Sequence, residues 1–399
     1  MRWVPDTKLG SDSAPAAPPD VTGLAIAEMV HASAPTGEAI QTFLDQHEFP
    51  LAEGGKVTFV FRGEAEEVRL RHWVYGLSSS EALHRIRGTD LWYHVLELPG
   101  ESRVEYKLEV TRGGDVQWIQ DPLNPHLARD PFGANSVAHG WGYETPEWTR
   151  TDPSARQGTL EDRVFQSAAL GEPRRITIYR PARFRTTRRY PLLLVHDGGD
   201  YMEYAGLKTV LDNLIHRLEI PAVVAVLMHP PDRMGQYRAS EAHARYLADE
   251  LLPQLESELP LMGTPEGRCL MGASLGAVAA FSTAVQFPGM FGRLLLQSGS
   301  FAFSDIGKHG RGPVFDPIAE FVNRFRRDPS AVSQKIFVSC GTYESLIYEN
   351  RSLVPLLQAT GMDVRFLEAR DGHNWENWRD RLREGLSWLF PGPLWLVYD

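Results

Sequence analysis

The chain has 399 residues, 43% apolar and 23% charged, the balance of a water-soluble globular protein with room for two domains. Its net charge of −10 comes without any Lys/Arg cluster, which argues against nucleic acid or an anionic membrane as partner. No basic segment leads into an apolar run at the start, no run is long enough to span a bilayer, and the two cysteines suit buried thiols in a reducing compartment, so the expected location is cytoplasmic.

In chain order, residues 1–21 are rich in Pro, Ala and Ser and read as a disordered tail. Residues 22–144 begin with a short helical pattern over Glu38–Gln46. Four runs with period-two alternation follow: Val57–Gly63, Val68–Val74, Leu91–Pro99 and Arg103–Val110, with a hairpin signal in the RGGD after the last. This spacing predicts an all-β sandwich of the early-set, immunoglobulin-like kind. Residues 145–158 are polar and rich in breakers, a predicted linker.

From 159 to 399 the pattern changes. Near-continuous apolar runs at Arg174–Pro181, Pro191–Asp197, Ala222–Met228, Arg268–Ser274, Arg293–Ser298, Lys335–Cys340 and Val364–Ala369 alternate with helical stretches. Strands of that kind are buried on both faces, so the prediction is an α/β domain whose mostly parallel sheet is covered by helices. Ligands and chemistry collect at the carboxyl ends of such strands.

One constellation there carries chemistry. Gly272-Ala273-Ser274-Leu275-Gly276 joins a predicted strand to a predicted helix, the context in which a sharp turn holds a serine hydroxyl above the sheet. The bland alternative is Ser274 as a helix cap. His373 lies between the last strand and the last helical segment, where a general base would follow the nucleophile; His309, in the polar GKHGRG, is its weaker rival. Glu344, in the loop after the strand ending at Cys340, is the preferred acid over Glu349, which falls inside the next helix. The backbone N–H groups of Leu275 and of Gly199, in the Gly198-Gly199-Asp200 turn, are the candidate oxyanion donors. His196, Asp197 and Asp200 form no recognised metal spacing, so neither a metal nor another cofactor is expected.

These stretches resemble the esterase-D-type branch of the α/β-hydrolases, which includes enterochelin esterases, feruloyl and acetyl-xylan esterases and mycolyltransferases. LLLVHDGGDYM, MGASLGA, CGTYESL and DGHNWENWRDRL carry the resemblance, which assigns Gly199, Ser274, Glu344 and His373 to the roles just given. Asp371 stands where relatives often have glycine. YRASEAHARYLADELLPQLE and the N-terminal WIQDPLNPH are similar to segments of the enterochelin esterases. That likeness implies a Ser-His-Glu esterase acting through an acyl-enzyme on a catecholate trilactone siderophore. It places Arg238 and Glu241 at the pocket, and suggests Asp200, Tyr201, Trp375, Arg233 and Trp378 as further contacts for an anionic, aromatic ligand. The partner is then a small-molecule ester. Two other readings stand beside it: a feruloyl or acetyl-xylan esterase whose β-module binds carbohydrate, and a non-catalytic binding protein on the same scaffold.

Overall fold

The computed structural model describes residues 17–304 and 309–393. The chain divides into two compact units. One holds the described residues up to Glu144 together with Arg370–Asn374; the other holds Thr145–Ala369 and the chain from Trp375 onward. Of the expected tail, residues 1–16 lie outside the described residues, whereas Val21 is buried with Leu24 and Ile26 in the first unit's core.

The first unit is an antiparallel sandwich. One sheet orders Leu51–Glu53, Lys56–Arg62, Leu91–Glu97 and His84–Arg85. The other orders Ser80–Ala82, Glu67–His72, Arg103–Arg112, Gly133–His139 and Leu127–Asp130, with Asp115–Ile119 also paired to Arg103–Arg112. The four runs legible from alternation are all strands. The short strands at Asp115–Ile119 and Leu127–Asp130 carry too little apolar signal to stand out: the first is almost wholly exposed. Phe59 meets Tyr106 edge to face at 4.8 Å, with both rings in the core.

The second unit is built on eight strands. In spatial order they are Thr159–Ser167, Glu172–Arg180, Val224–His229, Leu192–Val195, Arg268–Ala273, Arg293–Gln297, Lys335–Gly341 and Asp363–Ala369. Only Glu172–Arg180 runs against the rest. Successive residues bury on opposite faces: Leu192, Leu194, Leu270 and Leu294 join one core, Leu193, Val195, Met271 and Leu295 the other. Helices Leu275–Gln286, Asp316–Arg327 and Leu346–Ala359 pack on the first face, Leu207–His216 and Leu382–Leu389 on the second. This is the α/β-hydrolase architecture preceded by a β-sandwich.

Three local features differ from the reading of the sequence. Residues expected as a free linker pack on the second unit, where Asn213 donates to the carbonyls of Trp148 and Arg150, each at 2.8 Å. Thr159–Ser167 is a further strand, hidden by its exposed, charged residues. The helical segment Glu241–Arg245 widens into a π-turn at Tyr246–Leu251 before Leu252–Glu258. Pro253 explains the widening, since it offers no N–H and its ring would crowd the carbonyl one turn back.

Candidate active site

Ser274 stands between the central strand Arg268–Ala273 and the helix Leu275–Gln286 with φ 57° and ψ −119°. That conformation is uncommon for a residue with a side chain and costs on the order of 1–3 kcal/mol. Two glycines make the turn possible. A Cβ on Gly272 would lie 2.4 Å from the backbone of Gly276, and one on Gly276 would lie 3.1 Å from His196 Cβ. The backbone is tied down as well: Ser274 N–H donates to the Gln297 carbonyl at 2.9 Å, and Ser300 N–H donates to the Ser274 carbonyl at 3.2 Å. The hydroxyl remains partly exposed, 3.3 Å from Ser300 Oγ. A helix cap would bond its side chain to the first turn; Ser274 makes no such bond.

A positive φ recurs at the ends of two neighbouring strands, at Asp197 (φ 52°) and Ser298 (φ 45°). Sequence reading weighed Asp197 only as a metal ligand and did not single out Ser298. At Asp197 the chain turns into the short helix Gly198–Glu203, whose first N–H groups have no intrahelical partners. A Cβ on Gly198 would meet Leu227 Cβ at 2.4 Å, and one on Gly199 would meet His229 Nδ1 at 2.8 Å, so the helix start is pressed onto the strand Val224–His229. Both oxygens of Asp197 accept from Arg233 Nε at 2.9 Å, and its N–H donates to the Tyr237 hydroxyl at 3.1 Å. Burial pushes Asp197 upward while Arg233 opposes that. Asp200 is half-buried, and burial, followed by repulsion from Asp197, pushes it up to about 6.

Glu344 is buried in the loop after Lys335–Gly341. Its Oε1 accepts from Gly341 N–H at 2.8 Å and from the Ser298 hydroxyl at 2.5 Å, and Ser298 Oγ in turn accepts from Trp378 Nε1 at 2.9 Å. The carboxylate is thus held beside the end of the strand next to that of Ser274. Glu349 lies in the helix Leu346–Ala359, paired to Arg311 at 2.9 Å. Burial pushes it up to about 7.

His373 is an exposed residue of the loop Arg370–Asn374, which packs with the β-sandwich although the chain supplies it from between Ala369 and Trp375. His309 bonds Asp316 at 2.9 Å. The His196 ring points inward: its Nδ1 lies 3.0 Å from the Met271 carbonyl and its Nε2 lies 3.1 Å from His243 Nε2. If His196 Nδ1–H donates to that carbonyl, His243 must donate to His196, and both rings are neutral. Burial holds His196 down to about 4 and holds His243 well below its ordinary value.

The expected substrate contacts divide. Tyr201 is fully buried, donates to Gln297 Oε1 at 2.7 Å and meets Trp375 edge to face at 5.1 Å. Trp375 and Trp378 are buried too, 4.7 Å apart. All three rings are buried in the core of the second unit, where apolar burial favours packing a flat ring over displaying it. Arg233 is committed to Asp197. Arg238 donates to the Val314 carbonyl at 3.4 Å, and its buried Nε has no partner among the described residues. Glu241 is exposed and pairs with Arg245 at 3.1 Å.

The family model described as "Putative esterase" matches residues 167–389, more than half of the chain. The chain belongs to that family. As a member of the esterase family it is a serine ester hydrolase, and of the enterochelin-esterase-like kind. It is 25% identical over 369 residues to the iron(III) enterobactin esterase of Escherichia coli O6:H1, covering 83% of this chain and 90% of that protein. An endo-1,4-beta-xylanase/feruloyl esterase of Xylanibacter ruminicola is also 25% identical, but over 58% of this chain and 31% of its own length. The fold matches the enterobactin esterase of Shigella flexneri, crystallised in the presence of enterobactin, with a TM-score of 0.72 at 21% identity, across 92% of this chain and 100% of that one.

Proposed function

We propose that this esterase opens the ester bonds of a catecholate trilactone siderophore, or of its ferric complex, through an acyl-enzyme on Ser274. In this reading His373 takes the Ser274 proton as Oγ attacks the ester carbonyl. The Gly199 and Leu275 N–H groups hold the resulting oxyanion. Collapse breaks the ester C–O bond, and His373 gives its proton to the leaving alcohol. Water then attacks the acyl-enzyme with His373 again as base, which releases the acid and restores Ser274. Glu344 orients the imidazole and balances its transient charge.

The observation that carries this reading is the backbone at Ser274: a strained turn, crossed by two glycines, that presents the hydroxyl instead of using it to cap the helix. The choice of substrate rests on coverage. Similarity to the enterobactin esterase runs through both units, whereas the feruloyl-esterase match spans 58% of the chain. Arg238, with its spare buried donor, suits an anionic ligand, and Asp200 and Glu241 complete the candidate pocket wall. Both cysteines are buried and unbridged, which suits a cytoplasmic role in iron acquisition.

Side-by-side hydrolysis of enterobactin and methyl ferulate tests the substrate. Release of dihydroxybenzoyl-serine by wild type but not by Ser274→Ala is expected. Turnover of methyl ferulate alone would favour a plant-cell-wall ester instead.

A further inference from the structure

The loop that carries His373 is fastened by the β-sandwich. Arg103 opens the strand Arg103–Arg112, where it is set by pairing with His139. Its side chain is only 3% exposed and faces Asp371, 5% exposed, with Nη1 donating to Asp371 Oδ2 at 2.9 Å. The same nitrogen donates to Asn374 Oδ1 at 3.1 Å, and the Arg103 N–H donates to the Arg370 carbonyl at 2.9 Å. Arg370 itself donates to the Gly100 carbonyl at 2.8 Å.

Asp371 turns this anchorage onto the residues flanking His373. Its Oδ1 accepts from Gly372 N–H at 2.7 Å and from Asn374 Nδ2 at 2.8 Å. One buried carboxylate therefore holds the residue before His373 and the residue after it, while Arg103 holds the carboxylate. The guanidinium also lies over the Tyr143 ring at 5.7 Å, which restricts its own motion. A buried ion pair whose carboxylate accepts further hydrogen bonds defines one geometry strongly, because removing either partner strands a charge away from water. Burial pushes the Asp371 carboxyl upward and Arg103 opposes that, so without Arg103 the carboxyl would tend to take up a proton and lose its hold on the loop.

We propose that Arg103, acting through Asp371, is a positioning residue for His373. The proposal rests on His373 being the general base. Imidazole misplacement of about 1 Å is enough to slow proton transfer by 10²-fold.

The test uses the full chain with Arg103→Lys, Arg103→Ala, Asp371→Asn and the double variant Arg103→Ala/Asp371→Asn. Circular dichroism checks that each is folded at the assay temperature. Steady-state hydrolysis of a p-nitrophenyl ester and the rate of fluorophosphonate labelling at Ser274 are then measured across pH. Each single substitution to Ala or Asn is expected to lower kcat and the labelling rate at least tenfold with KM changed less than threefold. Arg103→Lys should lie between, the double variant should lose no more than the worse single, and millimolar guanidinium should restore part of the Arg103→Ala activity. A purely structural role would shift unfolding without that split between kcat and KM or the guanidinium rescue. His373→Ala separates the two levels of the argument. If it retains wild-type activity, His373 is not the base. If it is inactive while folded Asp371→Asn or Arg103→Lys labels at the wild-type rate, the positioning proposal alone is overturned. Should Arg103→Ala fail to fold, the size-matched Asp371→Asn decides.

Discussion

The proposed nucleophile and its proposed base are held by different means. Ser274 is fixed by its own chain: a central strand, two glycines and one strained φ within five residues. His373 sits in a loop whose geometry depends on Arg103, 268 residues away in sequence from Asp371. Constraints of the first kind are written locally, and they tolerate no added atom. Those of the second are written across the chain and depend on charge. A site assembled from both breaks differently according to which side is disturbed.

The largest effect should come from the acid. Replacing Glu344 with Gln keeps the size but removes the charge that would balance the imidazolium, and kcat is expected to fall roughly 10²–10⁴-fold. Ser298→Ala, which removes only the hydroxyl bonded to Glu344 at 2.5 Å, should cost about tenfold. Equal losses for both would show that Glu344 acts only as a structural anchor. On the locally fixed side, Gly272→Ala places a methyl 2.4 Å from the Gly276 backbone. Thermal unfolding should report a loss of about 1–3 kcal/mol together with reduced labelling of Ser274. Unchanged stability would mean that the turn relaxes freely.

The buried histidines give a pH signature. Burial holds His196, in the sheet unit, down to about 4 from its ordinary 6.5, and does the same to His72 in the sandwich. Between those values the unfolded chain binds protons that the folded chain refuses. Stability is therefore level above pH 6.5 and falls as the pH drops toward 4, by on the order of 3 kcal/mol for each such group. Chemical unfolding at pH 7.5, 6 and 5 should show the decline, and His72→Gln should lessen it for the sandwich, where burial holds His94 down to about 4 as well. The smallest effect concerns Tyr201. Tyr201→Phe removes one buried hydrogen bond and should cost about 1 kcal/mol of stability with KM unchanged. A raised KM would return Tyr201 to the pocket.

How legible the molecule was follows the same division. The sheet was readable because runs such as LLLV at 192–195 are buried on both faces, and the elbow because its residues are contiguous. The position of Glu344 in the loop after a strand was readable as well. Ser298 was not, since nothing in QSGSF marks a left-handed serine bonded to a carboxylate 46 residues on. The burial of Tyr201 and Trp375 was not readable, because an aromatic near a site looks the same in sequence whether it faces ligand or core. Asp371 was visible only as a departure from glycine; its meaning needed Arg103, which no local pattern connects to it.

The central claim is tested most directly by incubating the protein with a fluorophosphonate and mapping the adduct by peptide mass spectrometry. We predict stoichiometric labelling of Ser274, lost in Ser274→Ala and strongly slowed in His373→Ala. An adduct elsewhere, or none on a folded protein, would contradict it.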